Sequence, residues 1–116
     1  MRHHDRNRKL GRVKRQRVAL LRGLARSLIL HEGITTTEAK AKTLRPFVER
    51  LVSKAKESSL TGARTIATSL ASREAEKKLR TLAKRYQARA GGYTRITRLG
   101  RIGKRVSEMS RIEFVQ

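Results

Sequence analysis

Residues 72–99 read SREAEKKLRTLAKRYQARAGGYTRITRL, and within this stretch the hydrophobic period changes from that of a helix to that of a strand. Ala75, Leu79, Leu82, Ala83 and Tyr86 recur three and four positions apart, the spacing of one apolar helix stripe. Ser72 can cap that helix, and Glu74 and Glu76 fall in its first turn, where negative charge suits the helix dipole. Glu74 with Lys78 and Glu76 with Arg80 are oriented as supporting pairs four residues apart. Gly91 and Gly92 end the helical pattern. Tyr93 to Leu99 beyond them is β-branched and bounded by glycines, the composition of a strand, although Tyr93, Ile96 and Leu99 lie three apart. A helix that hands over to a strand this abruptly has to bury its stripe against a sheet or other helices.

Toward the C-terminus, Arg111 to Val115 alternates, with Ile112 and Phe114 on one face and Arg111 and Glu113 on the other. The two strands form a hairpin closed by a basic loop, Gly100 to Glu108. Toward the N-terminus, Ser58 to Gly62 reads as a loop, and Ala63, Ile66, Ala67 and Leu70 form one side of a short helix. Before it, Thr37 can cap a helix striped by Leu44, Val48, Leu51, Val52 and Ala55, with a kink or break near Leu44 because Pro46 lies inside it. Ile34 to Thr36 is a short β-branched strand. Gly33 is placed to stop a first helix from Val13 to His31, whose apolar side is Val18, Leu21, Leu24, Ala25 and Leu28. The expected fold is therefore α/β of the α+β kind: a two-layer sandwich in the order α-β-α-α-α-β-β, a small sheet packed by helices. It forms a single domain, with residues 1–12 as a basic arm and 13–116 as the globular body.

Charge limits the partners. The 116 residues carry 30 Lys and Arg against 9 Asp and Glu, a formal charge of +21, and a chain so charged seeks a polyanion. With no cysteine there is no disulfide, thiolate metal site or cysteine nucleophile. Met1 to Arg17 lacks the apolar core of a signal peptide. Val18 to Leu30 is too short for a bilayer and contains Arg22 and Arg26. These features fit a cytoplasmic protein with no membrane partner, and they leave an organellar source open.

Two basic clusters are the candidate binding residues. In the arm and the start of the first helix, Arg2, Arg6, Arg8, Lys9, Arg12, Lys14, Arg15 and Arg17 face a single acid, Asp5, and His3 and His4 can add phosphate contacts. Arg15, Arg22 and Arg26 fall together on the first helix. The arm has almost no apolar surface, so ordering it at about 1–2 kcal/mol per residue requires contacts to nucleic acid. The second cluster, Arg89, Arg95, Arg98, Arg101, Lys104 and Arg105, follows Arg85 with no acid among them. Gly91 and Gly92 would admit a close RNA backbone or merely form a turn, and Tyr93 could stack on a base or fill the core. Gly100-Arg101-Ile102-Gly103 has the form of the nucleotide clamp of KH domains, but that clamp joins two helices. Adjacent His3 and His4 with distant His31 do not make a zinc site, and no nucleophile triad or phosphate-binding Gly loop occurs. No enzyme activity, cofactor, metal or small-molecule substrate is expected.

These residues carry a family resemblance. Met1-Arg2-His3, Arg8-Lys9-Leu10, Ile34-Thr35-Thr36-Thr37 with Ala39-Lys40-Ala41-Lys42, Leu44-Arg45-Pro46, Arg89-Ala90-Gly91-Gly92-Tyr93-Thr94-Arg95-Ile96 and Ile112-Glu113-Phe114-Val115 resemble the bacterial large-subunit ribosomal protein L17 family, in order along nearly the whole chain. The resemblance implies a two-layer α/β fold. It also implies large-subunit (23S) rRNA and neighbouring large-subunit ribosomal proteins as partners, a place near the exit of the nascent-peptide tunnel, and no cleaved leader. The family's hairpin loop usually has Gly-Asp followed by small residues, where this chain has Gly103-Lys104-Arg105-Val106-Ser107-Glu108. The other readings of the composition are a free nucleoid protein or RNA chaperone and a membrane-active cationic protein.

Overall fold

The computed structural model describes residues 8–104 and 106–116. Its elements run α1 (Lys14–His31), β1 (Gly33–Thr37), α2 (Glu38–Glu57), α3 (Leu60–Leu70), α4 (Arg73–Arg85), β2 (Thr94–Gly100) and β3 (Met109–Phe114), the order expected. The three strands form one antiparallel sheet, β1-β3-β2. The last strand lies in the middle, because Ile112 meets Ile34 on one side and Ile96 on the other. Helix α2 packs on all three strands and on the other three helices. The core is one cluster: Leu28 and Ile29 from α1, Leu44, Val48 and Val52 from α2, Leu70, Leu79 and Leu82 from α3 and α4, and Ile112 from β3 are fully buried in it. The opposite face of the sheet has Thr35, Arg111, Thr97 and Arg95 exposed, as a two-layer arrangement requires.

The caps follow side-chain chemistry. Thr37, Ser59 and Ser72 accept from the amides of Lys40, Gly62 and Ala75, each satisfying an otherwise orphaned donor at a helix start. Four expectations need correction. Helix α2 runs unbroken through Pro46, whose ring lies on its exposed side, so there is no break at Leu44. The connection after α2 shrinks to Ser58 and Ser59, and Gly62 belongs to α3. Helix α3 buries Gly62, Ile66 and Leu70 while Ala63 and Ala67 are exposed. Its face is turned by a close approach: a Cβ at position 62 would lie 2.9 Å from Ser59 Oγ and 3.3 Å from the Lys54 carbonyl. Finally, α1 is stopped by Glu32 rather than Gly33; Glu32 takes the left-handed conformation (φ 62°) and Gly33 opens β1.

Glu32 is held there by charge. Its carboxylate accepts from Lys78 at 2.8 Å and Arg85 at 2.9 Å, joining the end of α1 to α4. Lys78 is thus drawn away from Glu74, and among the described residues neither expected α4 pair, Glu74–Lys78 or Glu76–Arg80, forms. The hydrogen bonds from Lys78 and then Arg85 hold the Glu32 carboxyl below its ordinary value of 4.5. A carboxyl lowered on folding stabilises the fold above the unfolded value, and that stability is lost as pH falls through the folded one. All three side chains are a third exposed, so solvent screens each pair to about 0.2–1 kcal/mol. Glu32→Gln should therefore melt a few degrees below wild type near pH 7, with the gap closing in acid as pH falls through the lowered pKa of Glu32. A gap of the same size in acid would mean that Glu32 acts by shape and not by charge.

The turn before β2 depends on Gly92, whose φ is +64°. Arg89 Nη1 donates to its carbonyl at 3.3 Å, and the next amide, Tyr93 N, donates to Glu49 Oε2 at 2.7 Å. Gly92→Val puts a β-branched residue where L side chains pay a steric penalty of about 1–2 kcal/mol. A melt followed by circular dichroism should show a loss of several degrees. An unchanged midpoint would show that the turn tolerates φ below zero.

Candidate nucleic-acid interface

The expected binding residues reach the surface from four places. Arg2, His3, His4, Arg6 and Arg105 lie outside the described residues. Arg8, Lys9 and Arg12 precede α1 and are exposed; a turn from Arg12 N to the Lys9 carbonyl at 3.1 Å fixes their direction, and Arg12 Nη1 donates to the Leu10 carbonyl at 2.7 Å. Lys14 and Arg15 are exposed in the first turn of α1, followed by half-buried Arg17, Arg22 and Arg26. That helix starts on Val13 with no side-chain cap and no acid in its first turn. Cations there oppose the helix dipole, an arrangement that an external anion would relieve.

The second cluster divides. Arg89 and the Gly91-Gly92 turn are exposed at the end of α4. Arg95 is on the open face of the sheet. Arg98 is 77% exposed and reaches Glu38 Oε1 at 3.4 Å, and Arg101 lies 3.6 Å from Glu108 in the hairpin loop, where Lys104 is also exposed. Tyr93 corrects the sequence reading: its ring is 1% exposed and cannot stack on a base. Its hydroxyl lies 3.0 Å from Lys56 Nζ, 3.4 Å from Ser53 Oγ and 3.3 Å from the Arg89 carbonyl. The Ser53 and Lys56 contacts lower its pKa. Tyr86 packs beside it, ring centroids 5.3 Å apart, and donates to the Val115 carbonyl. Tyr93 therefore anchors the turn and leaves its backbone outside.

Glu38, at the start of α2, is where the clusters meet. Its carboxylate binds Lys42 at 2.8 Å and Arg98 at 3.4 Å. Its pKa is lowered first by the Lys42 hydrogen bond, then by the charges of Arg98, Lys42 and Arg8. Glu38 thus pairs with its own helix and with β2, and Arg8, some ninety residues from Arg98 in the chain, acts on it through charge without a direct bond. Glu32, Glu49, Glu108 and Glu113 are likewise each bonded to Lys or Arg within the chain. Five of the described acids are thus paired within the chain, and many of the cations outside these pairs are exposed.

Comparison with known proteins agrees with this surface. Residues 20–115 match the family model described as Ribosomal protein L17. The chain is 49% identical over 118 residues to the large ribosomal subunit protein bL17 of Hydrogenobaculum sp., covering all of both chains. It is 48% identical to that of Gemmatimonas aurantiaca, covering 99% of this chain and 98% of the relative. Against that of Novosphingobium aromaticivorans it is 45% identical, covering 99% and 82%.

The chain belongs to the ribosomal protein L17 family.

It is thus a ribosomal protein by family and not an enzyme. No described helix of this L17 family member is long and apolar enough to cross a membrane. Sequence reasoning missed some of its outward cations. Lys42, Arg50 and Lys54 recur at multiples of four on α2, opposite Leu44, Val48, Leu51 and Val52, with Lys42 and Arg50 exposed and Lys54 half-buried. That spacing was legible, but attention to dense runs of charge passed over it. Arg111 was assigned only to the outer face of its strand; it is exposed there and lies 3.3 Å from Glu113.

Proposed function

We propose that this chain is a structural constituent of the large ribosomal subunit that binds and stabilises 23S rRNA. The observation that carries the reading is the division of charge: five carboxylates paired with cations of the same chain, with a large surplus of cations from the residues before α1, α1, the Gly91-Gly92 turn and the hairpin at the surface. Such a surface neutralises phosphates and lets separate RNA backbones approach each other at lower cost. Family membership supports that partner, since the named relatives are large-subunit proteins; neighbouring ribosomal proteins are the other expected partners. The arm, with Arg2, His3, His4 and Arg6, enters between RNA helices, and the body positions it. A place near the nascent-peptide tunnel exit follows from the family resemblance, and crosslinking to a stalled nascent chain tests it.

The main experiment is sedimentation of the tagged chain from a bacterial lysate. Co-migration with large subunits through a high-salt wash, with one discrete rRNA segment protected from chemical probing, is the expected result. Release by the wash, with weak protection spread over all RNA, would identify a nonspecific polyanion binder instead.

A further inference from the structure

Between the residues before α1 and the outward side of α2 lies a half-open hollow of about 290 Å³. Four of its walls are cations: Arg8, Arg17 on α1, and Lys42 and Arg50 on α2. Leu21, Pro46 and Phe47 complete the lining with Thr43, and no carboxylate lines it. Lys42 pairs with Glu38, as Arg98 does, whereas Arg17 and Arg50 form no ion pair with any described carboxylate. Four cations therefore converge on a hollow that has no acid in its wall. Arg50 and, one turn along α2, Lys54 also border a second hollow of about 370 Å³ that Gly91 and Gly92 line; Glu49, engaged by Arg45 and the Tyr93 amide, and Glu57 line it too.

We propose that the outward stripe of α2, carrying Lys42, Arg50 and Lys54, is a phosphate track that joins the two basic clusters into one continuous RNA-binding surface. The inference deepens the rRNA reading and rests on it. The occupant is an RNA backbone. From Lys42 to Lys54 the helix rises about 18 Å, long enough for several successive phosphates of one strand. Arg8 and Arg17 flank the track at its start, and the open backbone of Gly91 and Gly92 flanks it further along. Guanidinium groups without internal partners suit this role, since their fork matches two phosphate oxygens at once. A protein neighbour would need carboxylates placed along the same stripe; an RNA strand supplies regularly spaced anions without that requirement.

The test uses the full chain with the double variant Arg17→Gln/Arg50→Gln and a control, Arg64→Gln/Lys77→Gln, which removes the same charge from exposed positions on α3 and α4. Each phosphate contact contributes about 0.7–0.9 to the slope of log affinity against log salt. The track variant should lose about two contacts' worth of slope on a 23S rRNA transcript, and the control should keep the wild-type slope. The track variant should also lose protection of a few adjacent nucleotides while the rest of the footprint stays. Equal slope losses in both variants would overturn the track in favour of a diffuse field. An intact footprint, with a photo-crosslinker at position 50 reacting with a ribosomal protein instead of RNA, would assign the stripe to a protein neighbour and overturn it as well. A wild-type chain with no discrete footprint would instead overturn the rRNA reading beneath it.

Discussion

Affinity for 23S rRNA should fall by roughly three to five orders of magnitude between about 50 and 200 mM salt. The two basic clusters can neutralise about six to ten phosphates, each releasing condensed counterions, and raising the salt concentration opposes that release. The charge available is the surplus of 30 Lys and Arg over 9 acids. The structure leaves much of this surplus at the surface: Glu32, Glu38, Glu49, Glu108 and Glu113 are each paired within the chain, Arg8, Arg12 and Arg15 are exposed, and Arg17, Arg22 and Arg26 are half-buried. Aromatic stacking would add a salt-insensitive share, but Tyr93 is buried and aromatic residues are only 3% of the chain, so electrostatics must dominate. A filter-binding titration that stays nearly flat across this salt range would reject the electrostatic mechanism.

Ile112→Ala should remove about 2–5 kcal/mol of folding stability, a large part of the 5–15 kcal/mol typical of a domain. Ile112 is fully buried at the middle of the central strand, directly between Ile34 and Ile96, and beneath α2. The lost methyl groups leave a cavity that three hydrogen-bonded strands cannot easily close, so the transfer and cavity costs add. The neighbouring Arg111→Ala, on the open face of the same strand, should change stability by about 0.5 kcal/mol or less. Urea unfolding of the two variants makes the comparison. Equal midpoints would mean that β3 does not hold the core as the sheet order implies.

The element order was legible because it rests on local periodicity. The stripe from Ala75 to Tyr86, the glycine pair and the alternation from Arg111 to Phe114 each impose an element whatever lies around them, and all are found in place. Ser72 and Thr37 were legible as caps for the same reason: a cap acts on amides two or three residues away. The helix α3 face was not, because Ala63 and Ala67 look as apolar as Gly62 until Gly62 is set against the Lys54 carbonyl. Lys78 shows the same limit. Its spacing favours Glu74, but Glu32, brought from 46 residues away, binds it at 2.8 Å.

The sequence by itself determined the secondary-structure order, the basic surplus and, through the Ala-Gly-Gly-Tyr-Thr-Arg block and its companions, the family. Only the tertiary structure decided which cations work together. Lys42 and Arg98 meet at Glu38, and Arg8 and Arg17 line one hollow with Lys42 and Arg50 of α2, although these groups come from separate parts of the chain. Tyr93 passed from candidate contact to buried anchor for the same reason. Local spacing sets which way a side chain leaves its own helix or strand. Coulomb attraction and burial depend on distances through space, and those are set by how α2 packs between the sheet and the other helices.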